Sequence, residues 1–497
     1  MKISFSSGPD GIPAVVLKKC SSALANPLRQ VFSLSLATGV FPTLWKFSYM
    51  FPVHKKGDKK LIDNYRGITC LCAVAKLFEA VIMEPFSNYC KLYTAETQHG
   101  FVPKRSTATN LLSFSTFLMD TMSHGFQTDA IYMDLSAAFD KINHAITVAK
   151  LERLGVGANV LSWFRSYLSN RCLEVKIGSC TSEKFTADSG IPQGSHLGPL
   201  IFLLYFNDVN GYIEGPRLSF ADDLKIFSVI RSSEDALFLQ RQLSRFAEWC
   251  EINRMTLNPN KCSVITFSRK KMPIRFDYQL EGNAIERVSC IKDLGVHLDE
   301  QLTFKQHVTY IVAKASRCLG FVMRIAKSFS DIFCLKSLYC SLVRSTLEYC
   351  SVVWSPYYLN GVHRIETVQR RFVRFALRLL PWNNPHQLPS YDSRRLLLGL
   401  DSLNARRDLS RAMLVSDILN DNIDCPALLS ELNIYARSRL FRNSEFFRIP
   451  ARRTNYGANG AMIGLQRTFN RLSSGFDFNL PRARIKTNFL NILRNNH

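Results

Sequence analysis

Leu218-Ser219-Phe220-Ala221-Asp222-Asp223-Leu224-Lys225-Ile226-Phe227 sets two adjacent carboxylates between two short β-prone apolar runs. Such runs around a polar pair predict a hairpin with Asp222 and Asp223 at or near its tip. Neighbouring carboxylates repel, so one is driven toward protonation unless a cation stands between them. A divalent ion with oxygen ligands and room for phosphate oxygens supplies that charge, which points to Mg²⁺. An isolated Asp-Asp is more often an ordinary polar turn. This one has a partner upstream. Ala130-Ile131-Tyr132-Met133-Asp134 reads as a buried strand ending in a third acid, and Leu135 to Asp140 as the helix or turn that follows. Asp134 and Asp222 can then face each other across one sheet. Two-metal phosphoryl transfer needs such carboxylates, from separate segments, to hold ions roughly 3.5–4 Å apart.

The totals agree with a large polyanion-binding protein. The chain has 497 residues, 46% hydrophobic and 21% charged, and a net charge of +23. Length and composition describe a globular protein with room for two to four domains or subdomains. The charge favours nucleic acid over an anionic membrane surface. There is no leader pattern and no apolar run long enough to span a bilayer, so a soluble protein with no membrane partner is expected. Fourteen cysteines lie without a regular framework and no Cys-x-x-Cys occurs. They read as free thiols of a reducing compartment, nucleus or cytoplasm, in a protein that is not secreted.

Further blocks stand in order along the chain: Gly8-Pro9-Asp10-Gly11-Ile12-Pro13, Asn64-Tyr65-Arg66-Gly67-Ile68, and Gln98-His99-Gly100-Phe101-Val102-Pro103-Lys104-Arg105-Ser106. Met133 to Asp140 follows, then Gly190-Ile191-Pro192-Gln193-Gly194-Ser195-His196-Leu197-Gly198-Pro199, Phe220-Ala221-Asp222-Asp223, Leu257-Asn258-Pro259-Asn260-Lys261-Cys262 and Leu294-Gly295-Val296. With these blocks the chain resembles the reverse transcriptase of non-long-terminal-repeat (LINE-like, jockey-type) retrotransposons, over roughly residues 1–300 and more loosely beyond.

The resemblance implies an α+β, right-hand fingers–palm–thumb polymerase with a helical C-terminal region. It places N-terminally incomplete fingers at 1–129 and the palm at 130–300, the whole reverse transcriptase domain covering about 35–302. A helical thumb follows at 301–380, and a basic C-terminal region without legible function at 381–497. The implied partners are an RNA template, a DNA primer or target and deoxynucleoside triphosphates. Asp134 and Asp222 would bind two Mg²⁺ ions, with Mn²⁺ as an alternative, Asp223 in support and the Leu135 carbonyl as a further ligand. Arg66 and Lys55 are candidates for the triphosphate, a fork and a point charge both suiting phosphate oxygens. Phe139 would lie beside the nucleotide sugar, and Gln193 and Gly194 would border the nucleotide and template base. His196 replaces a small apolar residue of the family. Lys104 and Arg105 resemble a template-contacting loop, Lys261 a general acid near the pyrophosphate, and Leu294-Gly295 the turn that grips the primer end.

Lys261 is expected to begin the strand Cys262 to Phe267. The helix Val74 to Tyr89 is expected to bury Val74, Leu77, Phe78, Val81 and Ile82, and one after Ser232 or Ser233 to bury Ala236, Leu239, Leu243, Phe246 and Cys250. In the thumb, Val308, Ile311, Val312, Ala315, Leu319 and Val322 mark one buried helix face. A second helix, Val362 to Leu380, turns Ile365, Val368, Phe372, Phe375 and Leu379 inward. Its Arg364, Arg371, Arg374 and Arg378 suit either a solvated face or a duplex backbone. Gly155-Val156-Gly157 lacks the rest of a dinucleotide fingerprint and reads as a turn between helices. Ser195 beside His196 lacks a nucleophile elbow, which removes the hydrolase reading. A silent nucleic-acid-binding remnant and an RNA-templated RNA polymerase are the alternatives to the enzyme. No spaced acids beyond the thumb support an RNase H. An Arg-rich tail begins at Arg437.

Overall fold

The computed structural model describes residues 4–326, 331–378, 389–435, 445–473 and 477–495. At its centre is a five-stranded sheet in the order Glu286–Arg287, Ser263–Phe267, Gln127–Met133, Asp223–Ile230 and Arg217–Phe220. The middle strand, Gln127–Met133, runs antiparallel to both neighbours. It is almost wholly buried because both faces of the sheet are covered. Ala130 joins Leu111, Phe114 and Phe267 on one face, while Ile131 and Met133 join Leu239 and Phe246 on the other. The two-residue period of a strand thus feeds two separate cores.

A second sheet is built from strands on both sides of residue 129. Phe47–His54 pairs antiparallel with Tyr65–Cys70 and parallel with Arg171–Ile177, which also carries Cys180–Thr181 and Phe185–Ala187. One of its strands, Arg171–Ile177, comes from the stretch 130–300. The helix Thr107–Ser123, expected in the fingers, packs beneath the palm with Leu111, Phe114 and Leu118 in the core that also holds the thumb.

The helix Lys305–Ile325 buries Val308, Ile311, Ala315, Leu319 and Val322 as its spacing predicts, with Val312 half-buried. The second thumb helix is Leu359–Leu377; Ile365, Val368 and Phe372 are buried and Phe375 half-buried. Leu379 and Leu380 lie outside the described residues. Helices Leu403–Leu419, Ala461–Leu472 and Arg482–Asn495 continue the same core, which runs from Leu111 to Leu493. The expected tail from Arg437 falls partly outside the described residues; within them, Arg482 and Arg494 pair with Asp417 and Asp401. Among the described residues no helix is long and apolar enough to cross a membrane.

Candidate active site

Strand register brings the acids together. Met133 pairs with Leu224 and Tyr132 with Lys225, so one step further Asp134 stands across from Asp223 at the end of the sheet. Phe220 closes the hairpin against Asp223, leaving Ala221-Asp222 as a two-residue turn with Ala221 at φ 57°. A left-handed residue is what such a tight turn requires, and alanine adopts it at a cost in strain. Gln98 holds it there: its Oε1 accepts from the Ala221 N–H (2.9 Å) and its Nε2 donates to the Ala221 carbonyl (3.2 Å). Gly100 backs onto the same turn, where a Cβ would lie 2.2 Å from the Ala221 nitrogen.

The site concentrates negative charge. Burial of the hairpin raises the pKa of Asp222; the Asp134 carboxylate adds to that and Arg66 opposes it. Asp223 is pushed up to about 6 by burial first, then by Asp222, Asp293 and Asp134. The Lys261 ammonium stands 3.1 Å from Asp134 Oδ2. Lys261 does not begin a strand: it ends the turn Pro259–Lys261, because the proline-led turn delays pairing until Ser263. Leu135 forms an isolated bridge with Leu257 through the Ser136 N–H (onto Thr256, 2.8 Å) and the Asp134 carbonyl (from Asn258, 2.9 Å). That pattern leaves the Leu135 carbonyl outside the ladder. Among the described residues no three His, Cys, Asp or Glu side chains close around one point. Asp134, Asp222 and Asp223 instead stand along an open rim at the end of the sheet.

Of the residues expected around a nucleotide, Arg66 lies near enough to act on the charge of Asp222. Arg66 sits on Tyr65–Cys70 and Lys55 just past Phe47–His54, both exposed. Leu135 to Asp140 forms a turn, not a helix. Phe139 within it stacks flat on Phe202 (centroids 4.6 Å, 11°) and meets Phe101 edge-on. Gln193 Nε2 donates to Asp140 Oδ1 (2.7 Å), and its carbonyl accepts from the Thr69 N–H (2.8 Å). Gly194, at φ 133°, is required: a Cβ would lie 2.5 Å from the Thr69 oxygen.

Residues 53–298 match the family described as reverse transcriptase (RNA-dependent DNA polymerase). The chain carries a reverse transcriptase domain. It is similar to the probable RNA-directed DNA polymerase from transposon BS of Drosophila melanogaster, 26% identical over 75% of this chain and 43% of that protein. It is also similar to the RNA-directed DNA polymerase from mobile element jockey of the same species, 25% identical over 71% of this chain and 40% of the relative. The chain thus spans less than half the length of these relatives. Among solved structures, apo telomerase from Candida tropicalis truncated from its C-terminal domain aligns with 56% of this chain and 58% of that one, at 12% identity and TM-score 0.38.

Lys104 and Arg105, expected at the template, both have partners within this fold. Lys104 Nζ reaches Asp421 at 2.6 Å. Arg105 donates to the carbonyls of Ala95, Glu96, Gln98 and Asp424. Arg105 thus ties its own loop together and reaches the C-terminal region once, at Asp424, while Lys104–Asp421 is a solvent-exposed ion pair. Leu294 and Gly295 form the left-handed turn between Cys290–Asp293 and Val296–Asp299. The Tyr349 hydroxyl donates to the Leu294 carbonyl (2.8 Å), and Leu294 lines one cavity with Asp134, Asp223 and Lys261. Arg371, Arg374 and Arg378 are exposed, and no ion pair involves them among the described residues. Arg364 donates to Thr309.

His196 is exposed, while its backbone N–H donates to Glu79 Oε2 (2.6 Å); Glu79 also receives the Tyr167 hydroxyl (2.7 Å). Burial raises the Glu79 pKa against those donors. The sequence reading missed Glu79: it set Val81 inside that helix, but Val81 is 55% exposed. The signal was a lone acid in line with Ala75, Phe78, Ile82 and Phe86, all buried. Ser195 donates to the Pro192 carbonyl and accepts from Gly198, holding the turn into Gly198–Asn207. Asp140 and Asp293 were missed as well.

Proposed function

We propose that the chain is the RNA-directed DNA polymerase of a non-long-terminal-repeat retrotransposon, adding deoxynucleotides to a primer 3′-hydroxyl. The observation that carries this is the meeting of Asp134, Asp222 and Asp223 at one sheet end, where mutual repulsion asks for cations. Asp134, Asp222 and the Leu135 carbonyl would hold Mg²⁺, with Asp223 in support. The ions would lower the pKa of the attacking hydroxyl and neutralise charge on the departing pyrophosphate. Arg66 and Lys55 bind the triphosphate oxygens. Phe139, fixed by Phe202 and Phe101, closes the space beside the sugar. Gln193, oriented by Asp140, borders the nucleotide, and Gly194 leaves room for the template base. Lys261 offers a proton toward the leaving group. The turn Leu294-Gly295 supports the primer end, and the exposed thumb arginines contact duplex phosphates.

Primer extension on an RNA template with Mg²⁺ and deoxynucleotides tests this, beside Asp222→Ala. Loss of several kcal/mol of charge stabilisation should slow extension about 10³-fold or more. Equal extension by both proteins would overturn the site. Retention of RNA by the parent without extension would leave a binding scaffold only.

A further inference from the structure

Below the acids lies a second polar layer whose three members come from three strands. Tyr132 precedes Asp134 by two residues and Lys225 follows Asp223 by two, so each shares a sheet face with the acid on its own strand. Tyr132 and Lys225 are direct cross-strand partners. Onto them comes Asp293, the last residue of Cys290–Asp293. Its Oδ2 accepts from both Lys225 Nζ (2.5 Å) and the Tyr132 hydroxyl (3.0 Å). The Lys225 and Asp293 side chains are only 5% and 6% exposed, and the ammonium also lies over the Phe114 ring at 4.5 Å. The next residue is Leu294, which begins the turn that shares a cavity with Asp134 and Asp223.

We infer that the Lys225–Asp293 pair, with Tyr132, is a positioning device that sets the height of the Leu294-Gly295 turn above the Asp222-Asp223 hairpin, and so where a primer 3′ end rests against the acids. The inference rests on the polymerase reading given above. The antiparallel pair Cys290–Asp293 and Val296–Asp299 forms a two-stranded sheet of its own, separate from the five-stranded sheet. Two strands alone are marginal, so such a hairpin needs packing or a specific tie to fix its place. A dehydrated ion pair with a second donor is directional where apolar packing is not. Tyr349 holds the turn from the thumb side through the Leu294 carbonyl. The turn is thereby held between thumb and palm, and the buried pair is its palm-side tie.

The test uses the double variant Lys225→Met/Asp293→Asn, which removes both charges and strands neither. Three measurements are made on the full chain: thermal midpoint, hydrogen exchange of the amides from Leu294 to Val296, and primer extension with its split into kcat and dNTP KM. A midpoint near the parent's, exchange at least about tenfold faster at the turn, and kcat down about tenfold to a hundredfold with KM within about twofold would support the device. Unchanged exchange at the turn, or faster exchange with parental kcat, would overturn it. If the double variant does not fold, Tyr132→Phe removes one hydrogen bond only and is read by the same rule with a smaller effect. If the parent extends no primer, the polymerase reading fails while the exchange measurement still decides whether the pair ties the turn.

Discussion

Single residues show what burial does to charge in this chain. His307 is 1% exposed, its Nδ1 accepts from the His297 N–H (3.2 Å), and its Nε2 has no hydrogen-bond partner among the described residues. Burial, with His297 beside it, lowers its pKa to about 4. Unfolded imidazole titrates near 6.5, so the folded chain binds fewer protons between these values. Stability therefore holds above about pH 6.5 and falls as pH drops to 4, by roughly 3 kcal/mol for this residue. His99, lowered to about 3, adds to the same acid limb. His307→Asn keeps an acceptor for His297 and removes one titration. Its melting temperature should decline less steeply than the parent's from pH 7 to 4.5, and parallel curves would refute the assignment. The same scale explains which site residues were legible. Asp134, Asp222 and Asp223 end apolar runs and announce themselves. Glu79, Asp140 and Asp293 are single acids whose partners, Tyr167, Gln193 and Lys225, lie from 53 to 88 residues away.

Among the elements, the helix Leu359–Leu377 combines a buried stripe with an arginine edge. Its spacing made the apolar face legible, since a 3.6-residue period survives in sequence whatever packs on it. The arginine edge was not assignable that way, because solvent and phosphate ask for the same residues. Arg371→Ala/Arg374→Ala/Arg378→Ala removes exposed charge only, so the melting temperature should stay within a few degrees. Affinity for an RNA–DNA duplex should fall, and the slope of log affinity against log salt should flatten by roughly 2–3. Titration by fluorescence anisotropy between 50 and 200 mM salt reads both, and an unchanged slope would place the nucleic acid elsewhere. The palm hairpin is the contrary case. Its two short strands and acid tip were readable, whereas the brace behind them, Gln98 and Gly100, depends on a contact across more than 100 residues.

At the scale of the molecule, the C-terminal region is part of the fold. Leu403, Val415, Leu465 and Phe469 lie in the same core as Leu111, Phe114 and the thumb. Asp421 accepts from Lys104, and Asp424 pairs with Lys91. A chain ending at Arg378 would expose that core, and such a contiguous apolar surface promotes association. It should be recovered aggregated or melt well below the full chain; a monomer with the parental melting temperature would show the region to be an appendage. The amino-acid sequence by itself determined the reverse transcriptase motifs, their order, the periodic helix faces and the three acids, because each is a local pattern of residue type and spacing. Only the tertiary structure decided that Lys104 reaches Asp421 and Arg105 the Asp424 carbonyl, that Arg171–Ile177 pairs with Phe47–His54, and that Lys225 meets Asp293 beneath the acids. Those outcomes turn on which distant carbonyl, strand or carboxylate comes within hydrogen-bond reach, and that distance is set by packing the whole chain, not by any stretch of it.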